Sequence, residues 1–144
     1  MVSDSIERVV VLRHPVERVW AALTTAEGLS RWFGSVAEID LRPGGRAFFR
    51  WDELDEESVA TIEVVAPPHR FSFWWRVEGL PEADAPRTLV EFTLEPVPEG
   101  TRLHLVESGF TRAAEDVARS AHAANSQGWN EELADLESYL DAAV

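Results

Sequence analysis

The sequence of 144 residues contains no cysteine. This absence excludes disulfide bonds, thiolate metal sites and cysteine nucleophiles, and it suits a reducing compartment. The chain also lacks an apolar run long enough to cross a membrane, and residues 1–7 do not show the basic-then-apolar pattern of a secretion signal. We therefore predict a cytoplasmic protein.

Positive charge is scarce. The chain has 13 lysine and arginine residues against 26 aspartate and glutamate residues, which gives a formal net charge of −13. A protein with this balance repels phosphate backbones and anionic lipid surfaces. We expect neither a nucleic acid nor a membrane among its partners.

Patterns typical of metal binding and nucleophilic catalysis are missing as well. None of the four histidines has the i, i+4 spacing of a zinc pair on a helix. No serine lies in the context of a nucleophile elbow, and the acidic run at residues 52–57 lacks the ligand spacing and the central glycine of a calcium loop. The sequence predicts no metal site, no cofactor and no histidine-dependent triad.

Aromatic side chains, in contrast, are abundant. The chain has six tryptophans and seven phenylalanines, and 45% of its residues are hydrophobic. These are enough large side chains to close a core and still line a cavity. The length fits one hydrophobic core, so we expect residues 1–144 to form a single domain.

The hydrophobic pattern predicts one strand, two short helices, six further strands and a final helix. The first strand covers residues 6–13. The two helices cover residues 15–25 and 26–33, and Gly34 ends the second one. The later strands cover residues 36–41, 46–51, 58–65, 71–77 and 88–96, and the last one contains Leu103, Leu105 and Glu107. We predict loops at residues 52–57 and 78–86.

The C-terminal part of the chain has the spacing of a helix with one buried face. Trp129, Leu133, Leu136 and Leu140 recur at i, i+4, i+7 and i+11. Residues 112–124, rich in alanine, are predicted to form a helix or helical turn that leads into this segment, and we expect a break between the two. The order of elements excludes alternating βαβ units.

Short motifs spread over nearly the whole chain resemble those of one family. A helix at residues 15–23 (PVERVWAAL) is followed by LSRWF at residues 29–33. The supporting motifs are PGG at 43–45, PPHRF at 67–71, GTRL at 100–103, SGF at 108–110, and GW at 128–129 followed by Leu133, Leu136, Tyr139 and Leu140. Their order and spacing are similar to those of START-like (SRPBCC) domains, and within these to the branch named for homologues of the activator of the heat-shock chaperone ATPase.

The resemblance implies an α+β helix-grip fold, in which a curved antiparallel sheet of six to seven strands wraps around a long C-terminal helix, with two short helices after the first strand. The superfamily includes lipid and hormone carriers, pollen allergens, and polyketide cyclases and aromatases. Members of the branch often carry a histidine where this sequence has Glu107, and this difference changes the chemistry at the mouth of the pocket.

A strongly twisted sheet is concave, and a straight helix laid across it touches the rim before it fills the centre. We expect the resulting gap to hold a ligand against aromatic and apolar side chains. The predicted ligand-binding residues are Trp32, Phe33, Phe49, Trp51, Phe73, Trp75, Leu105, Glu107, Trp129 and Leu133. The alternative is that these side chains simply fill the core.

Glu107 is the candidate catalytic residue. By strand alternation it shares the inward face with Leu103 and Leu105, where a partly desolvated carboxylate can donate or accept a proton. The alternative is a wet carboxylate at the strand end, or one paired with a nearby cation. The candidate partners for that pairing are Arg50, Arg76 and Arg112.

Gly128 is the second unusual residue, because a glycine inside a helix costs about 1 kcal/mol relative to alanine. A close approach between the final helix and the sheet would offset that cost. We therefore predict a packing role for Gly128.

These observations lead to three hypotheses about function. The first is a binding protein that holds a small lipophilic or aromatic molecule without transforming it. The second is an enzyme of the cyclase, aromatase or hydrolytic kind that uses Glu107. The third is a protein-interaction domain for a chaperone or for a second copy of the chain, in which Phe48 and Trp74 lie on the outer face of the sheet. We favour the binding protein over the enzyme, and the enzyme over the co-chaperone.

Overall fold

A seven-stranded antiparallel sheet forms most of the structure, a computed structural model that describes residues 2–77 and 86–142. The predicted loop at residues 78–86 lies, except for Pro86, outside the described residues. The strands are β1 (Ser5–Leu12), β2 (Val36–Ile39), β3 (Arg46–Trp51), β4 (Glu56–Ala66), β5 (Arg70–Arg76), β6 (Arg87–Val97) and β7 (Gly100–Ser108). Their order in the sheet is β1-β7-β6-β5-β4-β3-β2.

Strand alternation decides which face of the sheet is buried. In β7 the side chains of Leu103, Leu105 and Glu107 are all buried, while the residues between them reach the other face. The neighbouring strand β6 shows the same alternation, and its Phe92 lies opposite Leu105. The inner face is therefore an aromatic and aliphatic surface, as the sequence pattern predicts.

Two short helices, α1 (Val16–Thr24) and α2 (Ala26–Trp32), follow β1. The hydroxyl of Thr25 caps α2 by accepting a hydrogen bond from the Gly28 amide at 3.0 Å. Gly34, with φ of +95°, lies directly after the last turn, where glycine adopts the left-handed conformation without strain. These helices cover one end of the concave face.

The third helix, α3 (Glu115–Ala142), is one continuous helix of 28 residues, preceded by a 3₁₀ turn at Phe110–Arg112. The predicted break between residues 112–124 and the final helix is therefore wrong. The alanine-rich start favours helix, and Trp129, Leu133 and Leu136 anchor the rest by burial against the sheet. None of the helices within residues 2–77 and 86–142 combines the length and apolar character needed to span a membrane.

The predicted loop at residues 52–57 is only partly a loop. A 3₁₀ turn at Asp52–Leu54 is followed by Asp55, and the next residue already belongs to β4. Arg50 holds this turn together, because its guanidinium donates to Asp52 at 2.9 Å, to Asp55 at 3.1 Å and to Glu57 at 3.3 Å.

The helix-grip architecture predicted from the sequence is confirmed.

Candidate functional site

A cleft of about 1040 Å³ opens to solvent between the middle of the sheet and the first half of α3. The ends of β3 and β5 and the beginning of β4 form one side, and α3 forms the other. Its aromatic wall consists of Phe33, Trp51, Trp75 and Trp129. We call this space the cleft throughout.

Three rings of the aromatic wall lie nearly parallel. Phe33 stacks on Trp75 with ring centroids 6.0 Å apart and on Trp129 with centroids 5.6 Å apart, both with an interplanar angle of 17°. Trp75 and Trp129 are themselves 6.0 Å apart at 28°. The rings come from the end of α2, from β5 and from α3, so side chains of three elements pack into one stacked cluster.

Glu107 is fully buried behind this wall and has no exposed surface. Its carboxylate accepts hydrogen bonds from the indoles of Trp75 at 2.9 Å and Trp129 at 2.8 Å. It also accepts from the Thr88 hydroxyl at 2.5 Å and from the Asn125 amide, which is 3.1 Å from both oxygens. Four donors thus converge on one carboxylate, which fixes the orientation of two wall indoles.

The alternative of a wet Glu107 at the strand end is therefore wrong. Two of the arginines considered as its partners lie elsewhere. Arg50 binds the acidic turn beside β4, and the guanidinium of Arg112 lies over the ring of Trp74, 5.2 Å from its centroid. Neutral donors from Trp, Thr and Asn side chains surround Glu107 in place of these two cations.

Glu132, which lines the cleft from α3, is the second carboxylate of interest. Its Oε2 atom is buried and has no hydrogen-bond partner among the described residues. Burial and the negative charges of Asp135 and Glu131 together raise the pKa of Glu132 to about 8, although a hydrogen bond from Trp51 acts in the opposite direction. The cleft therefore contains a carboxyl group whose hydrogen-bonding capacity is only partly used.

Small residues on α3 keep the cleft open. Ala121, Ala124 and Gly128 line it at helical spacing. A Cβ atom placed on Gly128 would meet no atom within 4 Å, so the predicted close approach between helix and sheet at this position is wrong. Gly128 borders empty space, and the lack of a side chain adds to the volume of the cleft.

The structure separates the ten predicted ligand-binding residues into two groups. Phe33, Trp51, Trp75 and Trp129 line the cleft. The residues with buried side chains outside its lining are Trp32, Phe49, Phe73, Leu105, Glu107 and Leu133.

Trp32, Phe49 and Phe73 pack where α1 and α2 close the concave face. The Trp32 indole donates to the Ala22 carbonyl at 2.7 Å, so a backbone group already satisfies it. Only a void of about 10 Å³ remains beside Trp32, Phe33 and Phe73. Packing by the short helices thus fills one end of the predicted pocket and leaves the other end open.

The sequence pattern did not reveal three residues at the site, Thr88, Asn125 and Glu132. The two residues on α3 lie on the same helix face as Ala121 and Gly128, at positions 121, 125, 128 and 132. This spacing was visible in the sequence, but a mixture of alanine, asparagine, glycine and glutamate does not look like a buried face. Thr88 shares the inward face of β6 with Val90, and alternation alone indicates its position.

Among residues 2–77 and 86–142, no three histidine, aspartate or glutamate side chains lie close enough to hold a metal ion. The histidines have other partners. His14 contacts Asp141 at 2.7 Å, His104 contacts Glu7 at 2.5 Å, and His122 contacts the Ser5 carbonyl at 2.9 Å. Each of these contacts joins distant parts of the chain, which indicates a structural role.

A family model described as Activator of Hsp90 ATPase homolog 1-like protein matches residues 13–141. The chain is similar to a protein of Mesorhizobium loti, with 26% identity over 97% of this chain and 98% of that one and a TM-score of 0.83. DynU16, from the dynemicin biosynthetic locus, has 24% identity over 98% of this chain and 48% of its own, with a TM-score of 0.81.

The Aha1 dimer from Colwellia psychrerythraea is similar at 20% identity over 92% of each chain, with a TM-score of 0.73. At this identity, and at that of DynU16, the likeness shows the fold alone. No significant match was found among curated proteins.

Proposed function

Because the chain belongs to the family of Activator of Hsp90 ATPase homolog 1-like proteins, we propose that it binds a small lipophilic or aromatic molecule in the cleft. Members of this fold often bind hydrophobic ligands. The ligand would lie between β4 and β5 on one side and α3 on the other. We propose binding without chemical transformation.

The observation that carries this proposal is an open space of about 1040 Å³ beside the half-buried indoles of Trp51 and Trp75, with the buried rings of Phe33 and Trp129 packed behind them. Ligand pockets of about 300 to 1,000 Å³ with apolar and aromatic walls are typical of drug-sized ligands. Because Glu107 holds the indoles of Trp75 and Trp129 by hydrogen bonds, the wall is formed before a ligand arrives. Such preorganisation reduces the entropy lost on binding.

The enzymatic alternative has less support. A general acid or base must come within hydrogen-bond reach of the substrate. Glu107 has no exposed surface, and its two oxygens already accept hydrogen bonds from Trp75, Thr88, Asn125 and Trp129. A co-chaperone role agrees with the family description, but none of the side-chain contacts described above favours it.

Titration with N-phenyl-1-naphthylamine, a neutral dye that fluoresces in apolar surroundings, tests the proposal. We expect saturable binding to the native protein. A Gly128→Trp variant should weaken it, since a large side chain at this position would project into empty space and occupy the part of the cleft next to α3. Ala134→Trp is the matched control, because it adds the same side chain to an exposed position on the same helix.

Weaker binding in Gly128→Trp with unchanged binding in Ala134→Trp supports a ligand site in the cleft. Circular dichroism and a cooperative melt must show that both variants are folded. Equal dye binding by all three proteins would place the dye elsewhere on the protein and contradict the proposal. The absence of binding by the native protein would contradict it as well.

A further inference from the structure

We propose that the ligand of the cleft carries a positive charge, and that it is an aromatic or lipophilic amine whose ammonium group lies beside Glu132 and the indole of Trp51. This inference rests on the ligand-binding function proposed above. It adds the chemical class of the ligand, which aromatic walls alone do not specify.

The charged residues in the lining of the cleft are mainly acidic. Five acidic residues line the cleft, whereas Arg76 is the only basic residue among its described lining residues. The acidic residues are Glu56, Glu57, Asp116, Glu131 and Glu132. They come from β4 and α3, so carboxylates face the space from two sides and make its potential negative.

The net charge of −13 acts in the same direction, because it attracts cations and repels anions over the whole surface. Part of the local negative charge is compensated, since Arg50 lies 3.3 Å from Glu57. The remaining acidic residues still outnumber the basic ones in the lining. An anionic ligand such as a fatty acid would therefore be disfavoured in this cleft.

Independently of the number of charges, the Oε2 atom of Glu132 is buried and has no hydrogen-bond partner among the described residues. A buried oxygen without a partner costs free energy, and such atoms are uncommon in native proteins. Nearby Asp135 and Glu131 make the site more negative. An ammonium group in the cleft would supply the missing counter-charge.

The walls of the cleft contain aromatic rings that can contact a cation. A cation over the face of a tryptophan ring is stabilised by the ring quadrupole, and aromatic residues are the typical lining of sites for quaternary ammonium ligands. Trp51 and Trp75, both half-buried, supply such rings in the cleft. A bare metal ion does not fit, because no group of three suitable ligands exists among the described residues.

Three naphthalene probes of similar size but different charge test the inference. They are (naphthalen-2-ylmethyl)trimethylammonium, 2-neopentylnaphthalene, which has carbon in place of the charged nitrogen, and the anion of 2-naphthaleneacetic acid. Dissociation constants are measured at pH 8.5 by equilibrium dialysis, with the free probe quantified by its own naphthalene fluorescence in the chamber without protein. At this pH Glu132 is mostly ionised, and the charge of the quaternary probe does not depend on pH.

We expect the cation to bind about tenfold more tightly than the neutral probe, and the anion to bind most weakly. In Glu132→Gln the preference for the cation should fall to about threefold or less. Glu137→Gln is the matched control, because it removes the same charge from an exposed position on the same helix and should keep the preference.

Equal affinity of the cation and the neutral probe would overturn the inference while leaving the proposed function intact. A preference that persists in Glu132→Gln, or that is lost equally in Glu137→Gln, would overturn the role of Glu132. The absence of binding by all three probes, each tested up to its solubility limit, would contradict the inference and the proposed function together.

Discussion

Glu107 and Glu132 are two partly or fully buried carboxylates on neighbouring elements, and they differ in how their oxygens are satisfied. Glu107 accepts hydrogen bonds from four side chains and has no exposed surface. Glu132 accepts one from Trp51, and its Oε2 atom has no partner among the described residues. Both oxygens of Glu107 therefore have hydrogen-bond partners in the free protein, whereas one oxygen of Glu132 has none among the described residues.

The two ends of the space between the sheet and α3 also differ, because one end is packed and the other is open. At the end covered by α1 and α2, Phe49 packs edge-on against Phe33 at 5.0 Å, and little empty volume remains. At the other end, Ala121, Ala124 and Gly128 leave the cleft open. Completed contacts stabilise the fold, and the incomplete ones mark the surface that is available to a ligand.

Replacing Glu107 should have the largest effect, because it leaves buried donors unpaired. In Glu107→Gln one acceptor oxygen becomes an NH₂ group that faces N–H and O–H donors, and we expect the free energy of unfolding to fall by about 2 to 3 kcal/mol. Urea denaturation measures the change, with Glu137→Gln as the exposed control. A loss below about 0.5 kcal/mol would show that the four contacts contribute little.

Replacing Glu132 by glutamine should raise the free energy of unfolding at high pH, whereas replacing Glu107 should lower it. The pKa of its carboxyl is raised from 4.5 to about 8 in the folded protein, so the folded state binds more protons than the unfolded state between these values. The stability of the native protein should therefore fall, relative to Glu132→Gln, as the pH rises from 4.5 to 8.

At pH 9 we expect Glu132→Gln to be more stable than the native protein by about 1 to 2 kcal/mol, since partial exposure reduces the effect of burial. At pH 4 the two proteins should be nearly equal, because the carboxyl is then largely protonated in both states. Urea melts at both pH values measure this difference. If the native protein is the more stable one at pH 9, Glu132 has a counter-charge and the contrast with Glu107 disappears.

The smallest effect is expected at Gly128. Gly128→Ala should stabilise the protein by about 0.5 to 1 kcal/mol, because alanine favours the helix and its Cβ meets no atom within 4 Å. Gly28→Ala, also in a helix, is the control and should destabilise, since its Cβ would lie 2.8 Å from the Ala21 carbonyl oxygen. Thermal denaturation compares the two variants, and destabilisation by Gly128→Ala would mean that this position is packed.

The fold was predictable because alternation and helical spacing are strong where a face is buried. The β7 pattern of Leu103, Leu105 and Glu107 assigned all three to the inner face, where they lie. The continuous α3 was not predictable in the same way. Residues between Ala124 and Trp129 are polar or glycine, and only packing along the whole helix holds them in one element.

The site was predictable only in part. Alternation identifies the face of a strand, but it does not say how far along the concave surface a side chain lies. It therefore predicted Phe49 and Trp51 equally as ligand-binding residues. The short helices cover Phe49 and leave Trp51 at the cleft. Glu132 was missed because a glutamate on a helix usually faces solvent, and only the tertiary structure reveals its buried oxygen.

The central claim is that the cleft receives a ligand, and the six indole N–H signals in a ¹H–¹⁵N NMR spectrum test it most directly. Trp51, Trp75 and Trp129 line the cleft. Trp20, Trp32 and Trp74 lie outside its lining and serve as internal controls. On titration with 2-naphthol, a neutral and soluble aromatic, we predict shifts in the first three signals and little change in the others. Shifts confined to Trp20, Trp32 or Trp74, or no shift in any signal, would contradict the account.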